Sequence, residues 1–187
     1  MTSDATDAPA ADSRGFELAT VWPSADATTA QAVRDFWRSE GALGQGMDME
    51  QRLSQVVAVA RANDGSVAGV STAIALLVPR FGQPMYYYRA FVGKAWRTTT
   101  LVRLLINRSI ADLEAFARPR GFPCIGVMLE LENIGFNRAL RMPVWYKPRF
   151  SYAGKSERGL EVRAYYFPGA RLKSPEEVRA LRLPAHV

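Results

Sequence analysis

The chain has one cysteine and one histidine in 187 residues, and each scarcity removes a class of chemistry. Cys124 has no partner in the sequence, so a disulfide scaffold is excluded. Its place inside the apolar run Cys124 to Leu131 makes it a core residue rather than a nucleophile. His186 stands next to the last residue, which argues against a Ser-His-Asp or Cys-His centre and against a histidine-built metal site; no metal is expected. Long apolar runs are missing too: Ala73 to Pro79 is far short of the ~20 residues that cross a bilayer. Gly154-Lys155-Ser156 matches only the end of an NTPase phosphate loop, lacks the upstream glycine, and has no helical pattern after it.

What is present is the composition of a soluble globular protein, 48% hydrophobic and 22% charged. A chain of this length should bury about 70% of the surface its unfolded form exposes, enough for an ordinary core. The stretch Thr2 to Asp12 has neither the basic start nor the apolar run of a secretion signal, and reads as a disordered, weakly acidic tail of a cytoplasmic protein. With 24 Lys and Arg against 18 Asp and Glu, the formal charge is +6. That sign suits an anionic partner: a nucleotide cofactor, a nucleic acid or an acidic lipid.

Periodicity organises the rest. Phe16 to Trp22 suits a strand ending at Pro23, and Asp26 or Thr28 caps a helix whose apolar stripe is Ala32, Val33, Phe36 and Trp37, closed by Gly41. A short helix is expected over Met47 to Leu53. Gln55 to Ala62 and Val67 to Val78, joined by Asn63-Asp64-Gly65-Ser66, predict a hairpin. Met85 to Val92 predicts a strand with Tyr86, Tyr88, Ala90 and Val92 on one face. From Thr98 to Arg118, Val102, Ile106, Ile110, Leu113 and Ala117 recur at helical spacing. Cys124 to Leu131 predicts a central strand, Gly135 to Arg141 a short helix, and Arg149 to Lys155 with Leu160 to Phe167 a last hairpin; Ser174-Pro175-Glu176-Glu177 starts a terminal helix. The order predicts a single mixed, mostly antiparallel α/β sheet of six to seven strands with helices on both faces. The expected organisation is a tail over 1–14, one domain over 15–170, and an extension with a short helix over 171–187.

The junction of the fourth strand with the long helix, Phe91-Val92-Gly93-Lys94-Ala95-Trp96-Arg97-Thr98-Thr99-Thr100-Leu101-Val102, is the most informative stretch. A helix N-terminus offers free backbone amides and partial positive charge, so it attracts phosphate, and Lys94, Arg97 and Arg103 would strengthen that field. The element order and this junction together resemble the GNAT family of acyl-CoA-dependent N-acyltransferases. The family's pyrophosphate loop runs Gln or Arg, two residues, Gly, one residue, Gly or Ala, between the fourth strand and the next helix. Arg97 matches the opening position and Val92 an apolar position of the strand, while Thr100 and Val102 stand where small residues are expected. The resemblance implies acetyl-CoA or another acyl-CoA as cosubstrate, held around Val92, Lys94, Arg97, Thr98, Thr99, Thr100, Leu101 and Val102.

After the next strand this family has an Asn, a helix, and a Tyr followed by Gly-Phe; here stand Asn133, Asn137 and Trp145-Tyr146-Lys147-Pro148-Arg149-Phe150. The resemblance gives Asn133 or Asn137 a contact with the pantetheine arm, and gives Tyr146 the role of acid toward the departing thiolate. Glu130 and Glu132, two apart on one face of a strand, are candidates for proton removal from the amine or for structural ion pairs with nearby Arg. The expectation is an N-acyltransferase acting on an amine acceptor, with a homodimer left open. Two other readings compete: a catalytically degenerate binding protein of the same fold, and a nucleic-acid-binding module. The last rests on charge, with seven cations against two acids over Arg89 to Gly121 and again over Arg138 to Arg163, and no established motif supports it.

Overall fold

The structure is a computed structural model that describes residues 11–12, 15–44, 46–97, 99–132, 141–181 and 183. Among the described residues there are eight strands: β1 (Ala11–Asp12), β2 (Phe16–Thr20), β3 (Val56–Ala62), β4 (Val67–Val78), β5 (Gln83–Val92), β6 (Gly126–Leu131), β7 (Ser151–Lys155) and β8 (Glu161–Tyr166). Among the described residues the α-helices are α1 (Ala27–Glu40), α2 (Met49–Leu53), α3 (Thr99–Ala117) and α4 (Pro175–Ala180). The hydrogen-bonded strand order is β1-β2-β3-β4-β5-β6-β8-β7. Pairing is antiparallel for β1 with β2, β2 with β3, β6 with β8 and β7 with β8, and parallel for β5 with β6, so this is the mixed sheet the sequence predicts. The additional strand is β1, two residues within the predicted tail, paired through Ala11 with Glu17 and Asp12 with Phe16.

The chain divides into two compact units. Met1–Ser71 with Ala90–Ser109 forms the first, and Thr72–Arg89 with Ile110–Val187 the second. In the first, α1 starts where the Asp26 side chain accepts from Thr29 N at 2.9 Å, and stops where Gly41 adopts φ 61°, a left-handed conformation that glycine reaches without strain. Its buried stripe, Ala30, Val33, Phe36 and Trp37, packs with Val56, Val59 and Val70 of β3 and β4. On the other side of β3, the small residues Ala58, Ala60 and Ala62 leave room for α3, whose Leu101 and Leu105 are fully buried there. A buried hydroxyl pair, Ser71 with Ser109 at 2.8 Å, ties α3 to β4 and is satisfied further by Ala58 O.

In the second unit, Leu76, Met85, Tyr87, Ile125, Met128, Val162 and Ala164 form one cluster. The β7–β8 hairpin turns through Ser156 to Gly159, with Ser156 N donating to Leu160 O at 2.8 Å and Gly159 at φ 76°. The terminal helix α4 has the expected start: Ser174 and Glu177 form a reciprocal capping box, with Pro175 in the first turn. The predicted helix over Gly135 to Arg141 falls almost wholly outside the described residues. No described helix is long and apolar enough to cross a membrane.

Candidate active site

Two groups of side chains carry the chemistry expected of the chain, one in each unit. The first lies where β5 and β6 run parallel. They pair at Tyr86 with Val127 and Tyr87 with Met128, so Tyr87, Met128 and Glu130 share one face of the sheet, and Val162, paired with Glu130 across β8, faces the same way. The strand period thus delivers Glu130 and Glu132 to one side. Both carboxylates meet a single cation: Arg158, at the hairpin tip, has its Nη1 3.3 Å from Glu130 Oε2 and 3.2 Å from Glu132 Oε1, with Nη2 also 3.2 Å from Glu132 Oε1.

Exposure distinguishes the two acids. The Glu130 side chain is 12% exposed and that of Glu132 60%, so Glu130 is the more enclosed carboxylate. The hydrogen bond from Arg158 to Glu132, followed by the charges of both acids, raises the Arg158 pKa, and the guanidinium stays cationic. On β5, Arg89 lies two residues after Tyr87. Its Nη2 donates to the Tyr87 hydroxyl at 3.2 Å, and its guanidinium sits 4.7 Å from the Tyr87 ring centroid.

The second group is the strand–helix junction. Gly93 to Arg97 includes a single 3-10 turn over Lys94–Trp96, and α3 then runs for 19 residues with no acid in its first turn. Lys94 and Arg97 are exposed, and the Arg97 Nε donates to Val92 O at 3.5 Å. Lys94 N is engaged by Glu40 Oε2 at 3.0 Å, a bond between α1 and the junction that sequence reasoning did not foresee. Val92 and Leu101 are buried and Val102 packs on the same cluster, so among these residues the cations, Thr100 and backbone groups are left for a ligand. Thr98 lies outside the described residues, and Thr99 is described only as the first residue of α3. A cationic approach to a long helix start without a nearby first-turn acid fits a diphosphate.

The remaining candidates fall elsewhere. Asn133 and Asn137 lie outside the described residues. Tyr146 is 80% exposed, its ring 5.7 Å from the Lys147 ammonium, and no described contact joins it to Glu130 or Glu132. Cys124 is fully buried, and burial pushes its thiol up to about 12, which fits a core residue. No group of three or more His, Cys, Asp and Glu among the described residues could hold a metal ion.

The second unit also has a cavity of about 490 Å³ lined by Arg141, Pro143, Tyr152, Lys155, Gly159, Glu161 and Arg163. Strand alternation puts Glu161 and Arg163 on the face of β8 opposite Val162, hence opposite Glu130. Arg163 is 2% exposed and fully engaged there, by Glu161, by the carbonyls of Met142 at 2.7 Å and Pro143 at 3.2 Å, and by the Trp145 ring at 5.0 Å. The cavity is therefore built on a structural ion pair, on the face opposite Glu130.

No family model matches this chain, and no curated protein does either. Solved structures match over most of the chain. An acetyltransferase of the GNAT family from Streptococcus pneumoniae superposes with a TM-score of 0.55 at 16% identity, covering 82% of this chain and 99% of the other. The ribosomal-protein-S5-alanine acetyltransferase from Vibrio fischeri gives 0.56 at 8% identity, covering 86% and 98%. A candidate acetyltransferase from Salmonella typhimurium, solved with its cofactor acetyl-CoA, gives 0.53 at 13% identity over 86% and 98%. These likenesses, with the parallel β5/β6 pair and the antiparallel β6/β8 pair beside it, establish that the chain has the GNAT acyl-CoA N-acyltransferase fold.

Proposed function

We propose that the protein is an N-acyltransferase that moves an acyl group, most simply acetyl, from a CoA thioester to an amine. The observation that carries this reading is the enclosed Glu130, held with Glu132 by Arg158 at the end of β6 in this fold. Lys94, Arg97, Thr100 and the first amides of α3 would hold the pyrophosphate, because that approach carries cations and no first-turn acid. The Glu40 bond to Lys94 N fixes the turn that presents those cations.

Bound there, the thioester supplies an activated acyl carbon: the N–C bond forms as the C–S bond breaks, giving an amide and CoA. An amine is protonated at neutral pH and has no free pair, so a carboxylate must first take its proton. Glu130 is assigned that role, directly or through one water, with Glu132 next to it attracting the ammonium. Arg158 holds both acids oriented between turnovers. Tyr146 is the proposed donor of the proton that the departing sulfur takes up.

Calorimetric titration with acetyl-CoA tests the reading. The expected result is a micromolar Kd, about −8 kcal/mol, weakened at least tenfold by Arg97→Glu, with amine acetylation lost in Glu130→Gln while acetyl-CoA affinity is kept. Absence of acetyl-CoA binding to the unaltered protein would transfer the fold to a non-catalytic binding role.

A further inference from the structure

Glu130 and Glu132 share their face of the sheet with two arginines, and from this we infer that the acceptor is an amine carrying an oxyanion, a carboxylate or a phosphate, a few atoms from its nitrogen. The inference rests on the acyl-transfer reading and narrows it to a substrate class.

Arg89 and Tyr87 project from the same side of β5, the side that also holds Met128 and Glu130 of β6. The Arg89 Nη2 is spent on the Tyr87 hydroxyl at 3.2 Å. Its Nε is buried and has no hydrogen-bond partner among the described residues. A buried guanidinium N–H without an acceptor is costly, and an arriving oxyanion would satisfy it with a charge-assisted bond. Arg158 is near enough to this tyrosine that the Tyr87 phenol contributes to the rise in its pKa.

The cluster therefore holds two guanidiniums and two carboxylates, formally neutral in sum. A polyamine arriving at Glu130 would meet two fixed cations and repulsion. A zwitterion places its ammonium against Glu130 and Glu132 and its oxyanion against Arg89 and Arg158, so every charge meets its opposite. Arg158 is 57% exposed at the tip of a turn, so a change of carboxylate partner there need not disturb the core. A guanidinium is the side chain suited to gripping a planar carboxylate or a phosphate through two donors.

The test is a set of matched amines offered to the full-length protein, with and without saturating CoA, and read by ligand-observed NMR: alanine against alaninamide, phosphoethanolamine against ethanolamine, and spermidine. The expected result is that the oxyanion-bearing member of at least one pair binds at least tenfold more tightly than its neutral partner, with spermidine weaker still. Whether alanine or phosphoethanolamine leads identifies the anion as carboxylate or phosphate. R158Q should shrink the preference to less than threefold, and R158K should restore part of it. Equal binding within both pairs, tighter spermidine, no binding by either oxyanion-bearing amine, or an unchanged preference in R158Q would each overturn the assignment. Failure of the acyl-transfer reading shows separately, as absence of acetyl-CoA binding in the calorimeter.

Discussion

Position 126 tolerates no side chain. A Cβ placed on Gly126 would lie 2.0 Å from the Tyr165 carbonyl oxygen and 2.9 Å from the Tyr166 Cα, both backbone atoms of the strand it pairs with. Neither neighbour can rotate away, so the strands themselves would have to part. Gly126→Ala should destabilise the fold by about 2–3 kcal/mol, the upper part of the range for forced overpacking. A urea melt that moved by less than about 0.5 kcal/mol would show that β6 and β8 separate more easily than their register implies. The same residue-level logic separates Glu130 from Glu132. They have identical side-chain chemistry two positions apart, but one is 12% exposed and the other 60%, so only Glu130 is enclosed by its neighbours.

At the scale of the element, β7 is one of the two edge strands, and an open edge invites pairing with another chain. Two devices close it. Pro143 O accepts from Tyr152 N at 2.7 Å, with a bridge from Val144 to Ser151 beside it. Further along, Arg80, from the β4–β5 loop, donates to the carbonyls of Ala153 and Lys155 where the strand register shifts. Arg80→Ala should therefore leave two edge carbonyls open, lowering stability by on the order of 1 kcal/mol and raising self-association. Light scattering at increasing protein concentration checks it, and a variant as monodisperse as the parent would show the bulge alone protects the edge. Elements were legible in the sequence wherever their cause is local. The Asp26 cap, the Gly41 stop, the Val102-to-Ala117 stripe and the Ser174 capping box each depend on residues within a few positions. The carboxylate pair was legible for the same reason, since alternation in a strand is local. Its partner was not: Arg158 lies 26 and 28 residues away and arrives only through the β6/β8 register. Arg80 and Glu40 were hidden likewise, acting across 73 and 54 residues. Asn133 and Asn137 rest on the family resemblance alone.

At the scale of the whole molecule, two buried groups held in their neutral forms, Cys124 and Tyr86, set the response to alkali. Burial pushes the Cys124 thiol from an ordinary 9.0 up to about 12, and burial likewise raises the Tyr86 phenol well above its ordinary 10.0, with the Cys124 charge adding to it. Above pH 9 the unfolded chain releases the thiol proton while the folded chain keeps it. The unfolded state then binds fewer protons than the native state, so unfolding stability falls as pH rises, by about 1.4 kcal/mol per pH unit for each such group. Between pH 9 and pH 11 the urea midpoint should drop steadily, first through Cys124 and then also through Tyr86. Cys124→Ala loses some stability at pH 7 because a buried atom is removed, but its decline from pH 9 to 10 should be shallower by about the slope of one group. The comparison of slopes is decisive where the absolute stabilities are not: parallel decline in the two proteins would place the alkaline transition elsewhere, in the lysine and exposed tyrosine charges of a chain that is +6 at neutral pH.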